Sequence, residues 1–136
     1  MDEAKIESQR LLTSLRRVTL AGTPELDEAW SVLKDNLIEN NLEVSGATNI
    51  ETARLGFELL SFSILRLLNQ FGNPLDISLH LAHCPMAAGS DGASWVQRGD
   101  DIRNSYFGAS MYRCGNLVEK IDSGGYLPIP EQGVGR

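Results

Sequence analysis

The chain has 136 residues, 42% of them hydrophobic and 22% charged, which suits one modest core rather than several domains. Its net charge is -6, from 18 acidic against 12 basic residues, and the only tight basic cluster is Arg16-Arg17. Without a basic stripe to neutralise phosphates, nucleic-acid binding is not expected; nor is membrane spanning, since the densest apolar run, 55–71, is broken by Glu58, Arg66, Asn69 and Gln70 and falls short of the roughly 18 apolar residues required.

Residues 2–20 read as a helix, with Ile6, Leu11, Leu15 and Val18 at helical spacing and charges on the other face. Ala21-Gly22 breaks it. Thr23-Pro24 restarts a helix, with Thr as N-cap, Pro at the first position and acidic Glu25, Asp27 and Glu28 in the first turn. Its stripe, Leu26, Trp30, Leu33 and Leu37, fades at Asn40-Asn41. Thr48-Asn49-Ile50-Glu51 fits a capping box before the strongest helix. There Ile50, Ala53, Phe57, Leu60, Ile64, Leu67 and Phe71 keep period until Gly72-Asn73-Pro74 stops it. Three helices joined by short breaks are expected to pack as an antiparallel, up-down bundle.

The second half changes character. Residues 75–82 alternate, Ile77, Leu79 and Leu81 against Ser78 and His80, and read as a short extended segment. Residues 87–92 read as a loop and 93–101 as one or two helical turns. Residues 107–121 read as a final helix with Met111, Cys114, Val118 and Ile121 on one face. The Gly- and Pro-rich stretch 123–136 reads as a tail or linker, leaving 1–122 as a single helical-bundle domain. The expected fold class is therefore mainly α.

Both cysteines, both histidines and both non-initiator methionines fall between His80 and Cys114. They form His83-Cys84-Pro85-Met86 and Met111-Tyr112-Arg113-Cys114-Gly115. Thiolate and thioether donors together select soft ions such as Cu(I). Met111 and Cys114, three apart, are neighbours on one helix face. Cys84 and Met86, two apart, point the same way in an extended segment, and Pro85 disfavours a helical Cys84. His83 points to the opposite side of an extended chain. His80 stands roughly 13 Å from Cys84 at about 3.3 Å per residue and reads as a bystander. A shared metal site, one disulfide, or two inert thiols with core-filling methionines all satisfy these residues. Trp95 fits either a ring over a bound cation or a core anchor. Asp100-Asp101 reads as a solvated pair. No phosphate loop, zinc-hydrolase helix or paired-carboxylate pattern is present, and Cys84 beside His83 lacks the oxyanion hole and orienting group that a catalytic pair needs; the chain is not expected to be an enzyme.

His83-Cys84-Pro85-Met86-Ala87, Gly92-Ala93-x-Trp95 and Ile102-x-Asn104-x-Tyr106-Phe107-Gly108-x-x-Met111-x-x-Cys114-Gly115 resemble a bacterial envelope domain family. It occurs alone or at the C-terminus of membrane-fusion proteins of Cus-type copper/silver efflux systems. Ala53-Arg54-x-x-Phe57-x-x-Leu60-Ser61 is similar to its R-x-x-F-x-x-L-S helix. The resemblance covers nearly all of the chain to about residue 122. The family usually has Asn-Pro-Tyr-Phe-Gly where Ser105 replaces the proline here, a departure that removes no candidate ligand.

The resemblance implies a helical bundle with soft-metal ligands at Cys84, Met86, Met111 and Cys114, with His83 as a fifth. It implies Cu(I) or Ag(I) as cargo, passed by thiolate/thioether ligand exchange to or from heavy-metal efflux components or a copper chaperone. It places the chain in the periplasm or cell envelope. Met1-Asp2-Glu3-Ala4 carries no basic-then-apolar leader, which fits a cytoplasmic protein, an excised domain or a mature form with a new initiator Met equally, so the start decides little. The competing expectation is a disulfide-closed docking module of an efflux membrane-fusion protein without metal.

Overall fold

A computed structural model describes residues 1–18, 22–87 and 91–128. The chain divides into two compact units, residues 1–63 and 64–136.

The first unit is helical. α1 spans Asp2–Arg17, α2 Pro24–Ser45 and α3 Ile50–Gln70, whose residues from 64 onward belong to the second unit. The Thr23 hydroxyl accepts from the Leu26 amide at 3.3 Å, and Pro24 opens α2 as the sequence predicts. The start of α3 differs in detail. Asn49 Oδ1, rather than Thr48, accepts from an amide of the first turn, that of Thr52 at 2.9 Å. α1 buries Ser8, Leu12 and Leu15 and leaves Ile6 exposed, so its inner face is rotated from the predicted stripe.

α1 and α2 pack together around a polar pair. Asn41, fully buried, donates to the Ser8 carbonyl at 2.7 Å and accepts from the Ser8 hydroxyl at 2.8 Å. Lys34 Nζ caps the Val18 carbonyl. The partners run in opposite order along the two helices, so they are antiparallel. Asn40 and Asn41 do not end α2, because each finds a partner: Asn40 Nδ2 donates to the Leu59 carbonyl and to Ser63 Oγ on α3. Gly56 lies where a Cβ would stand 3.0 Å from the α2 backbone at Glu43 and Val44, which lets α3 approach α2 closely.

The second unit overturns the mainly α expectation. It is built on a three-stranded antiparallel sheet in the order β2-β1-β3, where β1 is Leu79–Cys84, β2 Ala93–Gln97 and β3 Asn116–Ile121. The molecule is a mixed α/β fold. The predicted helical turns at 93–101 begin as β2. The predicted final helix is replaced by a 3-10 turn at Gly108–Ser110, a turn at 111–114 and β3. Gly108 and Gly115 lie at φ +55° and +129°, which a right-handed helix does not allow, and pairing with β1 draws 116–121 into the sheet.

One sheet face carries Leu79, Leu81, Val96 and Ile121, packed with Ile64, Leu65 and Leu68 of α3 and with Leu127. α3 stops at Gly72, φ +78°, as predicted. Buried Asn73 then ties the unit together. Its side chain donates to the carbonyls of Ile77 and Ile121 and accepts from the Leu75 amide, while its backbone pairs with Gly124 and Gly125. The segment expected as a tail thus begins with bonded chain: Leu127 is buried, and its amide donates to the Leu68 carbonyl at 3.1 Å. Residues 129–136 of that segment lie outside the described residues. No helix among the described residues is long and apolar enough to cross a membrane.

Candidate metal centre

The opposite sheet face carries Cys84. Strand alternation puts Cys84 with its cross-strand partner Ala93, and with Ala82 opposite Trp95. Cys84 has 0% exposure, and Ala82, Ala93 and Trp95 are buried with it. β1 then ends in a turn. The Ala87 amide donates to the Cys84 carbonyl at 3.4 Å, with Pro85 at the second turn position, where its fixed φ is favourable. Cys-Pro-Met is therefore a turn rather than an extended segment, and Met86 is 51% exposed.

Cys114 arrives on a loop organised by Asn104. This residue is 1% exposed and uses every polar group it has. Its amide donates to the Tyr112 carbonyl at 2.7 Å, and its own carbonyl accepts from Gly108 at 3.1 Å. Oδ1 accepts from the amides of Tyr106 and Phe107, and Nδ2 donates to the Cys114 carbonyl at 2.8 Å. Tyr106 fastens the loop to β2: its hydroxyl donates to the Ser94 carbonyl at 2.9 Å, and its ring meets Trp95 edge-on, with centroids 6.2 Å apart. Trp95, with its Nε1 donating to Gln97 Oε1, is a core anchor. Gly115 fits under this ring only because it lacks a Cβ, which would stand 2.8 Å from the His83 carbonyl oxygen and 3.1 Å from Trp95 Cη2.

The outcome is a sulfur pair. Cys84 Sγ and Cys114 Sγ lie 3.0 Å apart, both as free thiols, from positions 30 residues apart in sequence. Cys84 is buried and Cys114 half-buried. Their mutual hydrogen bond pushes the Cys114 thiol above its ordinary pKa, and desolvation and repulsion from a Cys84 charge act the same way. The spacing lies between two chemistries. A disulfide needs about 2.05 Å. A metal ion bound by two thiolates at about 2.3 Å separates them to about 3.8 Å at a tetrahedral angle. Either state is reached by a sulfur shift of about 1 Å.

The other predicted ligands are placed unequally. Met111 and Cys114 occupy the first and last positions of one turn, closed by the Cys114 amide on the Met111 carbonyl at 3.1 Å. A β-turn keeps such Cα atoms within about 7 Å, so their proximity survives the loss of the predicted helix. Met111 is 41% exposed. His83 is not brought to the sulfurs. It lies on the other face of β1, with Nδ1 2.9 Å from Ser94 Oγ and Nε2 over Gly92, where a Cβ would stand 2.7 Å away. His80 pairs with Gln97 and Lys120 farther along β1. No group of three or more His, Cys, Asp or Glu side chains able to hold a metal is present among the described residues. A metal here would have two thiolates and whatever the methionines add.

Asn104 and Gly115 belong to the quoted motif, but composition gave them no role. The available signal was the Asx turn, in which an Asn side chain accepts from the amide two residues on; Asn73 and Asn104 both make it. Comparison of the chain with protein-family models, curated proteins and solved structures returned no match.

Proposed function

We propose that this chain binds Cu(I) or Ag(I) at Cys84 and Cys114, with Met86 and Met111 as outer thioether donors, in a copper-handling or heavy-metal efflux system of the cell envelope. The observation that carries this reading is the 3.0 Å contact between two free thiols. Soft sulfur donors in low number suit a soft monovalent ion better than zinc, which prefers four ligands. His83 is left out of the ligand set because Ser94 and Gly92 hold it on the opposite face.

The depth of the four sulfurs suggests how cargo moves. Met86 and Met111 lie on exposed turns, Cys114 is half-buried and Cys84 is closed off. An ion captured by a weak thioether exchanges one ligand at a time toward the thiolates, which supply affinity. Loading releases the thiol protons, so affinity falls as pH falls. Efflux components or a copper chaperone would be the exchange partners, and no catalytic step is assigned to the chain.

Anaerobic titration of the reduced protein with Cu(I) against a competing chelator tests the reading. Cys84→Ser should weaken binding by more than the roughly 10–100-fold typical of losing an outer-shell partner, and Met111→Leu by less. Parental affinity in both variants would remove the proposed site. The second reading, a disulfide-closed docking module, has the same sulfur contact in its favour. Free-thiol counting on the purified protein separates them, since a docking module would show no free thiols and no metal uptake.

A further inference from the structure

The two thiols differ in exposure. Cys84 has 0% exposure, and Ala82, Ala87, its cross-strand partner Ala93 and Trp95 are all at 1% or less. Cys114 is half-buried, and Met111, Tyr112 and Arg113 just before it are exposed, so the loop that carries it is the solvent-facing side of the pair. We infer that Cys84 and Cys114 form a reversible disulfide by ordered exchange with an external disulfide, Cys114 attacking first and buried Cys84 resolving.

Each step balances. Cys114 sulfur attacks one sulfur of the incoming disulfide. A Cys114–S bond forms, the external S–S bond breaks, and the departing thiolate takes up a proton equivalent to the one Cys114 lost. Cys84 sulfur then attacks Cys114 Sγ, the mixed disulfide breaks, and the second external thiol leaves with the proton from Cys84. Two protein thiols are oxidised and one external disulfide is reduced to two thiols. The co-reactant is a small-molecule or protein disulfide.

The geometry favours this order over its reverse. Exchange requires the attacking, central and leaving sulfurs to approach a line. Cys84 Sγ already lies 3.0 Å from Cys114 Sγ on the buried side. An adduct on Cys114 therefore projects toward solvent, opposite its resolving thiol. An adduct on Cys84 would have to fit at a residue with no exposed surface, on a sheet face where Ala82, Ala93 and Trp95 are equally buried. The inference does not rest on metal binding, and it is read without metal present.

The test uses glutathione disulfide with the reduced, metal-free chain, followed by acid quench and intact mass. The parent should lose both free thiols with no lasting adduct. Cys84→Ser should hold one adduct on Cys114, and Cys114→Ser should acquire one at least about tenfold more slowly. Partial alkylation of the unmodified native protein gives the same order without a variant: Cys114 should be labelled first, again by about tenfold or more. Equal adduct rates in the two variants, earlier labelling of Cys84, or two stable adducts on the parent would each overturn the ordered mechanism.

Discussion

The side-chain amide of Asn104 donates to the backbone carbonyl of Cys114 at 2.8 Å, while its Oδ1 holds the amides of Tyr106 and Phe107. One buried side chain thus shapes the loop at its start and fixes the residue that matters at its end. Asn104→Ala removes all three bonds and leaves two amides and a carbonyl unmet, at a cost of about 3 kcal/mol or more when each unmet group counts about 1–3. Urea unfolding of the reduced protein should show this drop. Cu(I) affinity should fall with it, because Cys114 loses its anchor.

Gly115→Ala is expected to be as damaging without touching a polar group. The residue sits at φ +129°, and the added Cβ would meet the His83 carbonyl oxygen at 2.8 Å, a backbone atom that cannot step aside. Strain of about 1–3 kcal/mol and a comparable overpacking cost together threaten the second unit. Loss of near-UV signal from Trp95, with far-UV helical signal largely kept, is the outcome to look for. A variant with parental melting would show that the loop relaxes around the methyl group.

The first unit was legible because its information is local. A 3.6-residue period and a Thr-Pro start specify α2 without reference to the rest of the chain. The second unit was not, because its strands, only five or six residues long, are decided by one another. Spacing of Met111, Cys114, Val118 and Ile121 imitates a helix face; Gly115 in the middle of the run was the contrary signal. Residue type singles out Cys84 and Cys114 but leaves their meeting open; the sulfurs meet through a turn and a strand rather than through a helix.

The reduced, metal-free chain should lose stability in alkali. A thiol is neutral when protonated, and the Cys114 value is raised above its ordinary 9.0 by the hydrogen bond with Cys84. The folded state therefore holds this proton more tightly than the unfolded state does. That contribution is fully present below pH 9.0 and is lost as pH rises through the higher folded value. Urea midpoints should fall from pH 8 to about pH 10, and Cys114→Ser should remove this part of the slope. An unchanged slope in the variant would assign the loss to other groups.

Oxidation should raise the stability of the metal-free chain. A bond between Cys84 and Cys114 closes a loop over 30 positions, and the chain-entropy relation gives about 3–4 kcal/mol for a loop of that size. The native state need give little of this back, because the sulfurs are already within about 1 Å of bonding distance. Melting of the oxidised and reduced forms, with metal excluded, should therefore differ by about 10 °C, using a few degrees per kcal/mol for a chain of this length. The gain should vanish in Cys84→Ser and Cys114→Ser alike. A large difference that survives in either variant would have to come from outside the pair, whereas no difference in the parent would mean that forming the bond strains the Asn104-anchored loop as much as it restricts the unfolded chain.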